Sequence, residues 1–550
     1  MGNGVRLLPG VFPVINMMES DLHHFQCSIF TRARFHVFRY NRSMANKKRF
    51  WWGILLGFGA LIALYAVTRL LNLTKLPIFT DEAIYIRWSQ IGMRDPNWRF
   101  ISLTDGKQPM FTWVMMVLLK VLKGVDPLFV GRLTSVVAGI GTLIGVCVLS
   151  WELFRDRRVS WFTGVLYVII PFTLWYDRMA IYDSMVSLFS VWSLYLAVLL
   201  VRKVRLDIAL LLGMVLGCGM LNKSSGFLSL YAMPLTLILF DWRKEHRFNR
   251  LARWAGLVIV SAVLSQVFYS VLRLSPFFHI VSQKDNVFIF SPREWLNQPF
   301  RFFAGNLKGM FDWLRNYLTL PVFVVTLVPL FTRWGKARER WLLYVWWAMP
   351  FAALANFAKI LYPRFTLFMT IPLLLVAAES FMELWDMIKR PLVRLALVVL
   401  LLSPAAMTSY MIVTNPIAAP IPLSDQYQYM NDWPAGGGVP EVVSYLREQV
   451  RHEKINVYTE GTFGLMPYSI EIYLVDNPNI KIKGIWPLPN VIPDSIQEEA
   501  LSRPTYLILN ESQVAPAGWP LALIGEYQKG NRTDRKLRFY RVTAPRVQAL

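Results

Sequence analysis

Long apolar runs separated by short charged connections dominate residues 50–413. A helix needs roughly 20 apolar residues to cross a hydrocarbon core. On that measure spans are expected near 52–71, 128–151, 159–176, 184–201, 206–221, 225–240, 254–273, 317–332, 341–358, 365–382 and 391–413. A further apolar stretch, "PMFTWVMMVLLKVLK" at 109–123, ends on Lys120 and Lys123. As a helix it would reach only about 22 Å, short of a core of roughly 30 Å. It is expected to lie along the interface in the first long external loop. Beyond residue 413 the periodicity changes. "EVVSYLREQVRHE" is patterned as an amphipathic helix, "KINVYTE" and "PTYLILN" as buried strands, and "KLRFYRV" as an alternating strand. Residues 414–550 are therefore expected to form a small α/β domain, with "PAGGG" (434–438) a hinge or loop before it.

The chain thus divides into an N-terminal extension (1–49), an all-α polytopic membrane domain of about eleven spans (50–413) and the α/β domain (414–550). Met44 opens "MANKKRFWWG", a short basic head before an apolar span, and the functional start is expected there. The preceding residues have neither a membrane-length run nor a signal-peptide pattern, and are expected to be disordered or a start-site error.

Composition agrees: 55% of the residues are hydrophobic and 17% charged, a balance that excludes a soluble protein with a large core. Charge then orients the spans. The connections at 155–158, 202–207, 241–253, 333–340 and 386–394 hold 18 Lys and Arg in 40 residues, whereas the opposite segments hold 16 in 117. The positive-inside rule puts the dense side in the cytoplasm, with the N-terminus, and the C-terminal domain outside. The net charge of +23 is therefore mostly loop charge of a multi-pass plasma-membrane protein, not a nucleic-acid surface. Cys27, Cys147 and Cys218 show no metal-ligand spacing, and two lie within apolar runs, which argues against a disulfide framework or a zinc site.

That topology gathers polar residues at the outer ends of different spans. They are Asp81 and Glu82 in "TDEAIYIRW", Asp105 and Lys107 in "TDGKQPMFTW", Asp177, Arg178 and Asp183 in "YDRMAIYD", Lys223 in "LNKSSG", and Lys359, Tyr362 and Arg364 in "KILYPRF". Singly, each suits a plainer role: Asp105 a helix cap, Asp177 and Arg178 a local ion pair, Lys359 a headgroup anchor. Jointly they suit one cavity at the membrane surface. A carboxylate there takes the proton of an acceptor hydroxyl as it attacks a sugar carbon. A lipid phosphate leaving group needs positive charge beside it, and Lys107, Lys223, Arg178 and Arg364 are the available cations.

At these residues the chain resembles the GT-C glycosyltransferases, integral membrane enzymes that use polyprenyl-phosphate sugars. Within them it is most similar to the branch of the protein O-mannosyltransferases and lipid A aminoarabinose transferases, over about residues 50–430. The motifs quoted above, with "GRLTSVVAGIGTLIGVCVLSWELF", occur in the order of that family. The resemblance implies inverting transfer of a sugar from a polyprenyl-phosphate donor to a lipid, glycan or protein acceptor, outside the cytoplasmic membrane. It implies Asp81 as catalytic base, with Glu82 supporting it or meeting the acceptor as a second catalytic residue. Lys107, Lys223 and Arg364 would lie near the donor phosphate, and Asp183, Tyr85 and Tyr362 would support the site or meet the acceptor. No metal is required, although some members use a divalent ion, which Asp81 and Asp183 would hold. Ile84 stands where the aminoarabinose branch has Arg, Gly106-Lys107-Gln108-Pro109 replaces its Glu-Lys-Pro-Pro, and the mannosyltransferases' His-Pro-Pro is absent. Sugar and acceptor are left open by these departures. Two rivals are a lipid-linked sugar flippase, against which stand the lack of an internal repeat and of mid-span charge, and a non-catalytic envelope-assembly protein.

Overall fold

The structure, a computed structural model, describes residues 56–332 and 335–543. The expected N-terminal extension, Met44 and Cys27 lie outside them. Two compact units are present, Met1–Ala63 and Leu64–Leu550. Residues 56–63 of the first are helical, and the second holds all the other described residues.

The apolar runs fold as helices, but not all are long enough to span. Among the described residues five are long and apolar enough: Pro127–Phe154, Asp183–Lys203, Arg247–Leu274, Pro363–Met387 and Pro391–Thr414. Two more runs are broken. Arg157–Ile169 meets Pro171–Asp177 at 60°, and Phe303–Leu318 meets Leu320–Leu330 at 110°. Pro171 and Pro321 stand at the breaks, where proline has no N–H to donate and clashes with the preceding turn. The count is thus five, or seven with each bent pair taken as one span, against about eleven expected. Part of the shortfall is one of length: Leu206–Asn222 has 17 residues, about 26 Å of helix, and Ser224–Leu239 is mostly 3-10; Ala337–Phe357 has 21 residues but is not apolar enough to count. The 109–123 stretch forms a 12-residue helix, Met110–Val121, too short to cross.

The C-terminal part holds a five-stranded sheet: β1 (Ile455–Glu460), β2 (Ile480–Ile485), β3 (Thr505–Leu509), β4 (Leu521–Lys529) and β5 (Arg532–Val542). Its order is β2-β1-β3-β5-β4. The first three strands are parallel, joined through helices Leu465–Leu474 and Asp494–Ser502, and the β4–β5 hairpin adds antiparallel to β3. β1 and β3 are buried along their whole length, as central parallel strands require.

This sheet is bolted to the chain that carries Asp81. Thr80 N donates to Pro434 O at 3.0 Å and Gly436 N to Ile78 O at 2.7 Å. Arg87 pairs with Glu471 at 2.6 Å, and Gln90 Nε2 donates to Ile472 O at 2.9 Å. Lys529, buried at the end of β4, donates to Ala435 O at 2.8 Å and Asn510 Oδ1 at 2.6 Å. The "PAGGG" segment is therefore a pinned pairing rather than a hinge.

Candidate active site

Asp81 and Glu82 open the helix Thr80–Arg94, where the unpaired N–H groups and the dipole favour acids. A helix turns 100° per residue, so the two carboxylates face different surroundings. Glu82 points inward. Its Oε1 and Oε2 each accept from Arg132 at 2.8 Å, and it also takes the N–H of Phe79 at 2.9 Å and of Ala180 at 2.7 Å. Arg132 gives its other N–H groups to the carbonyls of Leu73, Leu76 and Pro77. Both side chains are fully buried. Glu82 is thus a buried clamp whose oxygens are taken up by protein donors, which does not fit a direct meeting with an acceptor.

Asp81 is directed elsewhere, its side chain 17% exposed. Arg364 Nη2 lies 3.2 Å from one oxygen and Lys107 Nζ 3.4 Å from the other. Lys107 follows a 3-10 turn that ends at Gly106, with φ +67°. A Cβ at Gly106 would lie 2.7 Å from the Ile280 carbonyl oxygen, so only glycine fits between this turn and helix His279–Phe288. The turn lets Asp105 face Lys107 at 3.4 Å and Lys284 of that helix at 2.7 Å. Lys107 also stands 4.8 Å over the Tyr85 ring.

Arg364 leaves the turn Pro363–Thr366 among the rings of Phe79, Tyr362 and Phe365, 5.0–5.6 Å from each. Its Nη1 reaches Tyr429 Oη at 3.4 Å. Lys223 Nζ also lies over the Phe365 ring, at 4.4 Å, and pairs with Asp183 at 2.7 Å. It stands where helix Leu206–Asn222 ends and the chain doubles back, Gly226 resting so close to Gly219 that a Cβ would lie 2.4 Å from its carbonyl. Asp81, Tyr85, Lys107, Asp183, Lys223, Tyr362 and Arg364 therefore line one place, drawn from five separate stretches of chain.

Arg178 does not join them. Its Nη1 donates to the carbonyls of Thr68, Arg69 and Leu71 and its Nη2 to that of Asn72, at 2.8–3.0 Å. It caps the end of the first apolar helix, so its expected contact with a donor phosphate is corrected. Asp177 pairs with Arg69 at 3.4 Å rather than with its neighbour Arg178, and Lys359 is held by Glu294 at 2.9 Å.

The linked chain Lys284–Asp105–Lys107–Asp81–Arg364 sets three cations against two carboxylates, while Lys223 and Asp183 balance. The cluster carries one surplus positive charge. Burial pushes the Asp81 carboxyl up, but Lys107, Arg364 and Lys223 outweigh it and hold the group below the usual carboxylate range. Burial drives the Tyr85 phenol well above its ordinary value, so it stays neutral.

The sequence pattern does not reveal the cluster behind Arg364. Asp425 is fully buried, its Oδ2 accepting from Tyr176 at 2.5 Å and from Tyr317. Tyr429 packs edge-on against Phe79 at 4.7 Å and so ties this cluster to the turn before Asp81. Burial pushes the Asp425 carboxyl up to about 7, so the fold keeps a proton that the unfolded chain releases near pH 4. Its contribution to stability is full below about pH 4 and is lost as pH rises through about 7. Asp425→Asn, which keeps the shape without the ionisable group, is expected to flatten that slope in unfolding midpoints measured between pH 4 and 8.

No curated protein matches the chain in sequence. Residues 106–269 match the dolichyl-phosphate-mannose-protein mannosyltransferase family. In architecture the chain is similar to ArnT from Cupriavidus metallidurans. The apo form gives a TM-score of 0.54 at 13% identity, over 89% of this chain and 98% of that one. The undecaprenyl phosphate complex gives 0.54 at 14%, over 90% and 98%. The chain shares the fold of that protein. The family-matched stretch supplies Lys107, Asp183 and Lys223, while Asp81 and Arg364 join them from outside it.

A divalent ion does not suit the acids present. Asp81 faces Lys107 and Arg364, and Asp183 faces Lys223. Among the described residues no three His, Cys, Asp or Glu side chains converge as an ion would need.

Proposed function

We propose that the protein is an inverting glycosyltransferase that moves a sugar from a polyprenyl-phosphate donor to an acceptor hydroxyl or phosphate. The observation that carries this reading is a carboxyl group, Asp81, bracketed by Lys107 and Arg364 with Lys223 beyond the Phe365 ring. For a hydroxyl acceptor, the acceptor oxygen attacks the anomeric carbon and Asp81 takes its proton. The bond from that carbon to the phosphate oxygen breaks, and the electron pair leaves with polyprenyl phosphate. The donor phosphodiester has one negative charge, matching the surplus of the cluster, and the released phosphate monoester gains a second. Lys223 and Arg364 stand where that charge develops, and preoriented cations in a partly dry site stabilise it most. ArnT of the same fold was captured with undecaprenyl phosphate, and the same lipid class is carried over here.

The charge asymmetry of the connections supports placing this site at the outer face of the cytoplasmic membrane, with the N-terminus cytoplasmic. Residues 50–413 would then be the catalytic domain. The 414–550 part would be an extracytoplasmic domain over the acceptor side, since its loop 434–436 pairs directly with the backbone before Asp81.

The test is direct. Detergent-purified protein given labelled polyprenyl-phosphate sugars and candidate acceptors should release free polyprenyl phosphate as the acceptor gains label. Absence of that release with every donor tried sinks the reading. Arg364→Lys, which loses the planar fork and the reach to Tyr429, is expected to lower kcat/KM at least about 10-fold, and Lys223→Met about 100-fold. Unchanged kinetics in both would remove the phosphate-binding assignment.

A further inference from the structure

A charged cleft lies at the far end of the helices from Asp81. Helix Asp183–Lys203 has 21 residues, so Arg202 stands roughly 30 Å from Asp183. There the 239–250 connection passes beside the start of helix Ala337–Phe357 and leaves a cleft of about 800 Å³. Five cations line it, Arg202, Arg243, Lys244, Arg250 and Arg338, against the carboxylates of Asp241 and Glu339.

The cleft is built rather than merely charged. Arg202 is fixed by Glu152 at 2.8 Å and Glu339 at 3.1 Å. Arg250 Nη2 donates to the carbonyl of Arg202 at 2.6 Å, and Arg338 donates to the carbonyls of Ile238 and Phe240, both at 2.6 Å. Carbonyls hold these two guanidinium groups in place but do not neutralise them. Arg250 Nη1 and Arg338 Nη1 have no hydrogen bond to any described residue. At the mouth Lys244 is loose, 3.9 Å from Asp241 and 60% exposed. Three fixed arginines and two exposed cations, Arg243 and Lys244, suit an anion with several oxygens.

The surroundings favour a lipid as its source. Leu239 lines the cleft, and Trp242 and Phe248 are exposed beside it, where interfacial aromatics meet acyl chains. We propose that this cleft holds the phosphodiester headgroup of an anionic phospholipid, in the leaflet opposite the sugar-transfer site. Basic pockets between helices on the cytoplasmic side bind such headgroups. The site is independent of the sugar-transfer reading and stands or falls separately.

The full-length protein in detergent is titrated with phosphatidylglycerol, phosphatidylcholine, or inorganic phosphate while thermal unfolding is followed. Arg243→Gln/Lys244→Gln removes the two exposed cations of the mouth. Lys389→Gln/Arg390→Gln removes two exposed cations at the same end of the helices but outside the cleft. Phosphatidylglycerol should raise the midpoint of the wild type by several degrees, with phosphatidylcholine and phosphate giving little. The first variant should lose at least about half of that shift and the second should keep it. Equal losses in both variants would mean general surface attraction, and no loss in the first would mean no site. A full shift with inorganic phosphate would mean a soluble anion. Each of these three results overturns the proposal.

Discussion

Asp81→Asn is expected to lower the rate of sugar transfer by about 10²–10⁴-fold, the usual worth of a positioned general base, while the protein still folds. The amide keeps the shape of the carboxylate but cannot take the acceptor proton. It also leaves Lys107 and Arg364 without their shared anion, so the cluster becomes more positive. Donor binding should therefore hold or tighten: kcat falls while the Kd for polyprenyl phosphate does not rise. A residue that merely held the site together would weaken both. The same geometry fixes the pH dependence. Because its neighbours hold Asp81 below the usual carboxylate range, the base stays ionised as pH falls from 7 to about 5. An acid limb in the rate profile belongs below the usual carboxylate range, and a loss of activity well above that range would assign the base to another group.

Glu82→Gln should instead damage stability. Arg132 would be left buried with its counter-charge gone and one of the two carboxylate oxygens it donates to replaced by a donor, and breaking a buried pair in this way costs about 3–5 kcal/mol. The loss should appear as a lower unfolding midpoint and poorer yield. Glu82→Gln combined with Arg132→Met removes the stranded charge and should recover part of it, with transfer by the folded fraction close to normal. A Glu82→Gln protein of wild-type stability but no activity would restore this residue to the catalytic set.

These two variants mark the boundary of what the local pattern carries. The motif "TDEAIYIRW" locates the site, but adjacent acids on a helix differ only in azimuth, and the packing that orients them comes from Arg132, 50 residues on. Arg178 escapes the pattern for the same reason: its partners are backbone carbonyls of the preceding helix end, which leave no mark in side-chain spacing. Lys284 lies 179 residues from its partner Asp105, in a loop whose short helix has no long apolar face. Asp425 lies in a link between the helical part and the sheet, and only tertiary burial distinguishes it from a solvated acid. By contrast the apolar runs are legible because hydropathy is summed over many residues. Their number is not, since the runs at 206–221 and 225–240 fold as helices too short or too broken to count as spans. In the C-terminal part, "INVYTE" and "TYLIL" are dense apolar strands and readable as such. The edge strand "IKIKGI" alternates with lysine and does not stand out, although its period of two is present.

On this reading Lys223 and Arg364 are the seat of a lipid phosphate, and their carboxylate partners hold that seat open. A structure of the protein with polyprenyl phosphate bound tests this most directly. The phosphate oxygens should lie within hydrogen-bond distance of Lys223 and Arg364 and beside Asp81, with at least one of the present ion pairs lengthened. A phosphate seated elsewhere, with Arg364 still closed on Asp81 and Lys223 on Asp183, would contradict it.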